Sequence, residues 1–344
     1  MKKAILLPIH ILQVFTVAKS FRANPVIGSR FLNRMGLHVF RVTLAYGIMR
    51  FRMFCLSWGV PKKYRRQYYE KGYILIENAM DEATFQEVER EVRRVRSEVR
   101  ECIQGNTLTQ RIHLDEENAD QTRAIQSFLN RKDIVRLFKF AAGKNHRPIS
   151  HIQVIKSNYR QGEPDPQKHL HSDTFHPTMK YWLFLQDVGH NMAPFTYVEG
   201  SHRLTWKRLK WEYKKSVSIQ NERIPYSQNG SFRIEEKELE ALGLPAPREV
   251  CVLKNTLVIV NTFGFHRRGD TDRRSIRAEI WGISRTNPFN PWIGFDFAWM
   301  HRLENWALKQ LRYYHDKQAE KQGRLPSWHV IDQPGLFDDP DDRL

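Results

Sequence analysis

Cysteines are few in this sequence, and acidic residues are almost missing from its first 75 residues. Cys55, Cys102 and Cys251 stand far apart in a chain of 344 residues, so they form neither a disulfide framework nor a CxxC metal knuckle. We therefore expect reduced structural thiols and a reducing compartment. Glycine-rich nucleotide-binding motifs, zinc-finger spacings and internal repeats are also absent, which excludes the corresponding classes of protein.

The net charge of +17 lies mostly at one end of the chain. Residues 1–75 contain 14 lysines and arginines and one acid, Glu70, and so carry +13, which leaves +4 for the remaining 269 residues. The same segment is rich in leucine, isoleucine and phenylalanine, whereas a nucleic-acid-binding arm is usually polar. The distribution argues against nucleic acid as a partner and favours a basic, apolar surface segment.

An apolar run that is both uninterrupted and long enough to span a bilayer is missing as well. Residues 4–18 are too short for a span, and the unpaired thiols argue against a cleaved secretory signal there. Residues 37–60 are long enough, but they include Arg41, Arg50 and Arg52. Each of these arginines costs about 2.5–3.5 kcal/mol at the centre of a membrane.

A helix that lies in the membrane interface accounts for this mixture, with its arginines reaching anionic headgroups. The basic run at 61–66 follows directly and supports the interpretation. The alternatives are a helical extension packed on its own enzyme domain, or a membrane span. We expect residues 1–66 to associate peripherally with a membrane surface, on its inner, cytoplasmic face.

From residue 67 the pattern becomes that of a mainly β domain with flanking helices. Short strand-like runs are separated by Gly, Pro and Asn turns, as in a double-stranded β-helix, the cupin-like jelly roll. We predict such an α+β domain over 67–290, with a helix over 82–100 and a polar loop or lid over 105–124. Residues 291–344 are predicted to form one helix over 297–321, with its aromatic stripe facing inward, and an acidic tail.

His171 and Asp173 form the motif around which the domain is organised. Residues i and i+2 of a strand point to the same face, and a closed barrel can bring His266 beside them. Two histidines and one carboxylate on three adjacent positions of an iron, with three positions open, mark non-haem Fe(II) oxygenases. The alternative, a zinc pair of His169 and His171, lacks a third ligand of similar specificity.

Arg277 is the candidate for binding a co-substrate. It and His266 are symmetric about a polar turn, so a hairpin would place their Cβ atoms opposite each other, about 5 Å apart. An arginine grips a carboxylate through two parallel hydrogen bonds, as the far carboxylate of 2-oxoglutarate requires. Arg273 and Arg274, in the turn, are alternatives. Lys156 is a second candidate for contact with the co-substrate, and a surface position is its alternative.

The chain resembles the phytanoyl-CoA dioxygenase family of Fe(II)/2-oxoglutarate-dependent oxygenases over roughly residues 69–287. The matching residues are Lys71-Gly-Tyr-Ile-Leu-Ile-Glu-Asn78, His171-Ser-Asp173, the segment 191–202, His266 and Arg277-Ala278. The resemblance implies iron ligation by His171, Asp173 and His266, binding of 2-oxoglutarate by Arg277, and O2 as the second co-substrate. Relatives that halogenate have a small residue in place of the acidic ligand, so Asp173 implies hydroxylation.

The substrate is the least defined part of this interpretation. The membrane-facing segment predicts a lipid or a lipid-linked substrate, such as a lipopolysaccharide sugar. Arg267 and Arg268, beside a metal ligand, are candidates for holding a phosphate or carboxylate of that substrate, and a solvated turn is their alternative. A soluble hydroxylase that tailors small molecules, and a non-catalytic jelly-roll binding protein, are the alternative functions.

Overall fold

The structure is a computed structural model that describes residues 7–160, 162–222 and 224–331. The helices are α1 (Leu7–Leu12), α2 (Arg30–Arg34), α3 (Leu37–Cys55), α4 (Lys62–Lys71), α5 (Glu82–Arg94), α6 (Arg123–Leu129), α7 (Lys132–Ala142), α8 (Trp206–Ser218), α9 (Pro225–Gln228), α10 (Glu236–Leu242) and α11 (Ala298–Lys321). The strands are β1 (Tyr73–Ile76), β2 (Val99–Gln104), β3 (Thr107–His113), β4 (Ile149–Ser157), β5 (Met179–Phe184), β6 (Phe195–Tyr197), β7 (Arg248–Val250), β8 (Thr256–Asn261), β9 (His266–Arg268), β10 (Ser275–Ser284) and β11 (His329–Val330). The predicted acidic tail lies outside the described residues.

Two antiparallel sheets enclose one interior. In the described part of the chain, eight strands form a large sheet in the order β1-β8-β5-β10-β4-β3-β2-β11, and β7-β6-β9 form a small one. From β5 to β10 the chain passes repeatedly between the two sheets, which winds it around the space between them. The predicted α+β jelly roll is confirmed.

Strand β8 shows why both faces of the large sheet are apolar. Leu257 and Ile259 pack with the helices on the outer face, whereas Val258 and Val260 pack with the small sheet. Side chains alternate along a strand, so a run of apolar residues is what a strand buried on both faces requires. Phe138 of α7 stacks on Tyr181 of β5 with ring centroids 4.3 Å apart, which holds the helical layer to the sheet.

Two local predictions within the domain are wrong. The helix predicted over 82–100 ends at Arg94, and β2 begins five residues later, at Val99. The predicted polar loop over 105–124 contains β3, whose buried Gln110 donates a hydrogen bond to Glu101 of β2 at 2.7 Å. Polar residues that pair across neighbouring strands can be buried, so polarity alone did not indicate a loop.

The N-terminal segment packs on the β domain through buried arginines. Arg41 and Arg52 of α3 are each only 1% exposed. Arg41 donates hydrogen bonds from Nε to the Val14 carbonyl at 2.8 Å and from Nη2 to the Ala18 carbonyl at 2.6 Å. Arg52 donates to the Asn290 carbonyl at 2.8 Å. The prediction that these two arginines reach lipid headgroups is therefore wrong, and this side of α3 packs on its own chain.

The same helix reaches the loop that carries Asp173. The Arg41 guanidinium lies over the ring of Phe175, 4.1 Å from its centroid. Nearby, buried Glu212 of α8 pairs with His38 of α3 and with Arg208, both at 2.9 Å. Each buried charge thus has a partner, as burial of a charge requires. Residues 7–66 are consequently part of the support of the β domain.

The C-terminal helix α11 turns its aromatic residues outward. Leu303 and Trp306, predicted to face inward, are 53% and 58% exposed. The face that covers the sheet instead carries Leu308 and Arg312. In the described residues, no helix is at once long enough and apolar enough to cross a membrane.

Replacement of Arg41 by methionine is expected to lower the free energy of unfolding by about 3 kcal/mol, because two carbonyls lose a charged donor. Arg50→Met is the matched control, since Arg50 is on the same helix but exposed, with its guanidinium 4.2 Å from the Tyr69 ring centroid. We expect the control to lose less than about 1 kcal/mol. Urea unfolding measures both values, and equal losses would contradict the structural role of Arg41.

Candidate metal centre

The side chains of His171, Asp173 and His266 converge between the sheets. His171 and His266 form an antiparallel bridge in which each backbone N–H donates to the other's carbonyl, at 3.0 and 2.9 Å. Both imidazole Nε2 atoms approach Asp173 Oδ1, at 3.8 Å from His171 and 3.7 Å from His266. The three ligand atoms all lie within 4.8 Å of one another. The predicted ligand set is therefore brought together in the folded chain.

Backbone carbonyls hold both imidazoles in the same orientation. Nδ1 of His171 donates to the His169 carbonyl at 2.7 Å, and Nδ1 of His266 donates to the Gly264 carbonyl at 2.9 Å. With the proton on Nδ1, the lone pair of each Nε2 is directed at the site, as in metal-binding histidines. Burial lowers the pKa of His171 well below its ordinary value, which keeps this imidazole neutral.

The two oxygens of Asp173 have different neighbours. Oδ1 faces the imidazoles, whereas Oδ2 pairs with Lys180 Nζ at 2.7 Å. Burial alone would raise the pKa of Asp173, but the charge of Lys180 beside it lowers this pKa well below its ordinary value. The backbone carbonyl of Asp173 accepts a hydrogen bond from Lys19 Nζ at 2.5 Å. The carboxylate is thus ionised and presents one oxygen to the site.

This donor set fits an Fe(II) ion. Two imidazoles with converging Nε2 atoms and one ionised carboxylate oxygen are the ligands that non-haem iron oxygenases use. A second group, formed by His146, Asp296 and His301, also brings donor atoms within 4.8 Å. There, however, Lys139 Nζ lies 2.7 Å from Asp296 Oδ2 and Arg147 Nε lies 3.4 Å from Oδ1. Both oxygens of Asp296 thus already have a cation beside them, whereas Lys180 occupies only one oxygen of Asp173, so the fit of this second group to a metal is poorer.

Arg277 reaches the interior by a different route from the one predicted. Strand β9 pairs with β6 in the small sheet and β10 lies in the large sheet, so no hairpin joins His266 to Arg277 and that prediction is wrong. Arg277 Nε donates to Glu279 Oε2 at 3.0 Å, and Nη1 donates to the Ala193 carbonyl. Its guanidinium lies 5.9 Å from the Phe184 ring centroid. Arg277 therefore faces the space between the sheets.

Lys156 does not share that space. In the register of β4 with β10, Lys156 pairs with Ile276, one residue out of phase with Arg277. Successive side chains of a strand point to opposite faces, so Lys156 points away from the interior that Arg277 faces. It is also buried, not on the surface. The structure thus contradicts both its predicted contact with the co-substrate and the surface alternative.

The side chains of Arg267 and Arg268 likewise point to opposite faces of the small sheet. Arg268 lies two residues after His266 on β9, points inward, and donates to buried Asp165. Arg267 points to the opposite side of the small sheet and lies 3.6 Å from Asp270. Arg268 therefore remains a candidate for contact with a ligand, whereas Arg267 is directed away from the metal centre.

Sequence reasoning missed Lys180, which pairs with the metal-ligating carboxylate. A signal was available, because Lys180 alternates with Trp182 and Phe184 and so belongs to a buried face of β5. His169, the alternative zinc ligand, has an exposed side chain and lies outside the group of ligand atoms.

The sequence profile of the family Phytanoyl-CoA dioxygenase (PhyH) matches residues 68–233. This span includes His171 and Asp173, and the fold brings His266 and Arg277 to them from beyond its end. No curated protein sequence matches the chain.

Several structures are similar to this one. The 2-oxoglutarate-dependent epimerase SnoN of nogalamycin biosynthesis is 17% identical, with a TM-score of 0.43 over 64% of this chain and 81% of its own. HygX from Streptomyces hygroscopicus, with nickel, 2-oxoglutarate and hygromycin B bound, is 11% identical, with a TM-score of 0.41 over 65% and 86%. AviO1 from Streptomyces viridochromogenes Tue57 is 15% identical, with a TM-score of 0.39 over 64% and 92%.

The profile match covers the opening strand, the helical layer and the His171–Asp173 motif, and the motif stands in a site with the donor chemistry of ferrous iron. Residues 68–233 match the phytanoyl-CoA dioxygenase family, and the chain is an enzyme that uses Fe(II), 2-oxoglutarate and O2.

Proposed function

We propose that the protein hydroxylates a lipid or lipid-linked substrate at a membrane surface. The reaction type rests on one observation: Asp173 directs one carboxylate oxygen at the two imidazole Nε2 atoms while Lys180 pairs with the other. Iron bound there supplies oxidation with 2-oxoglutarate and O2, so that a substrate C–H becomes C–OH while 2-oxoglutarate yields succinate and CO2. An acidic ligand at position 173 favours hydroxylation over halogenation.

The chain's own residues prepare the site for this chemistry. The carbonyls of His169 and Gly264 keep the proton on Nδ1 of each imidazole, so that both Nε2 atoms are free to bind metal. Arg277 is assigned to the far carboxylate of 2-oxoglutarate. Because Glu279 holds its Nε, the plane of the guanidinium is set before the co-substrate arrives, which reduces the entropy lost on binding.

The membrane association rests on an exposed apolar surface, the docking face, which consists of Leu12, Phe54, Trp58, Trp292 and Phe295. All five side chains are largely exposed, and Trp58 is 85% exposed. Exposed apolar patches of this kind mark interaction sites, and tryptophans are enriched at membrane–water interfaces.

Contacts at the base of the docking face join its parts. Phe15 packs edge-on against Phe289 with ring centroids 5.7 Å apart, and Arg52 binds the Asn290 carbonyl. The N-terminal segment, the end of α3 and the segment before α11 therefore meet at one place.

Charge and thiol chemistry favour an anionic lipid surface on a reducing side of the membrane. Lys62, Lys63 and Arg66 are exposed directly after Trp58, in a segment that carries most of the net positive charge. Basic side chains next to an apolar face are the usual means of binding anionic lipid. Cys251 is a free, exposed thiol, which fits a reducing compartment.

Substitution of either His171 or Asp173 by alanine is expected to abolish stoichiometric Fe(II) binding and to reduce the conversion of 2-oxoglutarate to succinate at least about a hundredfold. His169→Ala is the matched control, because only its backbone carbonyl contacts the site. Anaerobic metal titration and succinate formation without added substrate provide the measurements. The proposal would be overturned if the protein without any substitution neither bound iron nor converted 2-oxoglutarate to succinate.

Arg277→Gln is expected to raise the KM for 2-oxoglutarate roughly ten- to hundredfold, since a hydrogen bond to a charged group contributes about 1.5–3 kcal/mol. Arg267→Gln, on the outward side of the small sheet, should leave the KM unchanged. Initial rates of succinate formation at varied 2-oxoglutarate measure both, and the same KM for Arg277→Gln as for the unchanged enzyme would contradict the assignment.

The double variant Phe54→Ser, Trp58→Ser is expected to bind phosphatidylglycerol vesicles at least about tenfold more weakly, because burial of one large apolar side chain contributes about 1.5–3 kcal/mol. Trp206→Ser, which removes a tryptophan that is 70% exposed on α8, is the matched control. Vesicle co-sedimentation in low and high salt, with phosphatidylcholine for comparison, measures binding. Equal binding by all variants, or a dimer that forms through this face without vesicle binding, would contradict the membrane proposal.

A further inference from the structure

A cavity of about 450 Å³ lies between the inner face of the large sheet and α11. Its walls include Arg111, His113, His151, Trp281, Arg312 and Trp328. The volume is in the range of sites for small organic ligands. Neither the iron ligands nor Arg277 belong to these walls, so the cavity is a separate compartment of the interior.

The cavity adjoins the metal centre. Ile283, one of its wall residues, stands opposite Lys180 in the register of β10 with β5. Directly opposite residues of antiparallel strands point to the same face with Cβ atoms about 5 Å apart. Lys180 in turn pairs with Asp173. A ligand in the cavity is therefore separated from the iron ligands by little more than the width of one strand.

Two arginines of the cavity have no salt bridge to a carboxylate among the described residues. Arg111 lies between two indoles, with its guanidinium 3.7 Å from the Trp281 ring centroid and 4.4 Å from that of Trp328. Arg111 Nε donates to neutral Gln153 at 2.6 Å. Arg312, from α11, donates to His151 Nε2 at 3.0 Å. Within the described part of the chain, neither guanidinium group therefore has a carboxylate within salt-bridge distance.

The acidic residues of the cavity wall are already engaged elsewhere. Glu98 and Asp316 both pair with Arg100, each at 2.7 Å. The latter contact also fixes α11 over the sheet, as does the pair of Lys309 with Asp115 at 2.9 Å. The roof of the cavity is therefore in place without a ligand, and its surplus charge is positive.

A buried imidazole holds Arg312 in the cavity wall. Nε2 of His151 accepts a hydrogen bond from Arg312 at 3.0 Å. His151 is only 5% exposed. Burial, together with the charge of Arg111, lowers the pKa of His151 well below its ordinary value, so the ring is neutral and can accept this hydrogen bond.

We infer that this cavity binds an organic anion, a carboxylate or phosphate carried on a ring or an apolar chain, as the acidic part of the enzyme's substrate. Arg111 and Arg312 would bind the anionic group, and Trp281 and Trp328 would contact the apolar part. Two guanidinium groups that form no salt bridge among the described residues, in a cavity that two indoles also line, match this chemistry, because arginine pairs with such oxyanions through two parallel hydrogen bonds. The inference rests on the proposed oxygenase function, because it places the substrate next to the iron.

The test is calorimetric titration of the full chain, anaerobic, with Fe(II) and saturating 2-oxoglutarate so that the Arg277 site is filled. The probes are phenyl phosphate and benzoate, with benzyl alcohol as the uncharged counterpart. We expect the anions to bind and the alcohol to bind at least tenfold more weakly. Arg312→Gln and Arg111→Gln should each raise the Kd of the anions at least tenfold, whereas Arg123→Gln, an exposed arginine on α6, should not. Arg312 is half-buried, so its variant remains informative if Arg111→Gln does not fold.

Equal affinity for the anions and the alcohol, or anion affinity that neither cavity variant changes, would overturn the inference. Dihexanoyl phosphatidate added as a competitor identifies the source of the anion: displacement of phenyl phosphate supports a lipid headgroup, and binding without displacement supports a free acid. Iron-dependent succinate formation, measured after the same samples are exposed to O2, separates the two levels of failure. Turnover without anion binding removes only the cavity assignment, and anion binding without turnover removes the oxygenase proposal.

Discussion

The metal centre depends on how the carboxylate of Asp173, which is only 13% exposed, divides its two oxygens between its neighbours. Asp173 lies between Lys180, which takes Oδ2, and the two imidazoles, which face Oδ1. Without the lysine, a buried carboxylate would favour its protonated form and would be a poor metal ligand. The strand that supplies Lys180 belongs to the large sheet, whereas His266 belongs to the small one. The ligand set therefore exists only when the two sheets are packed together.

The same rule, that a buried charge needs a partner, explains the N-terminal segment. Arg41 and Arg52 are buried because carbonyls of their own chain receive their hydrogen bonds, and Lys19 reaches the backbone of Asp173. The segment thus supports the metal centre from one side while it exposes apolar side chains on the other. Arg111 and Arg312 have neutral partners as well, namely Gln153, two indoles and His151, but they line a cavity and form no salt bridge among the described residues.

The metal ligands were predictable because His171 and Asp173 are only two residues apart, and because the strand connectivity of a jelly roll brings a later strand beside them. The sequence did not predict which way Lys156 and Arg267 point, because a shift of one residue in register turns a side chain to the other face of a sheet. The prediction of a hairpin around 269–274 was wrong because a polar turn can connect strands of two different sheets as well as neighbouring strands of one sheet. Helical spacing indicated which face of the helix carries Arg41, but it did not indicate what that face would contact.

The proposed chemistry requires a single ferrous ion held by His171, Asp173 and His266. Diffraction at the iron absorption edge, from crystals grown anaerobically with Fe(II), tests it most directly. We expect one anomalous peak within bonding distance of Nε2 of both histidines and of Oδ1 of Asp173, with Lys180 still paired to Oδ2. A peak at His146, Asp296 and His301 instead, or no peak between the sheets, would contradict it.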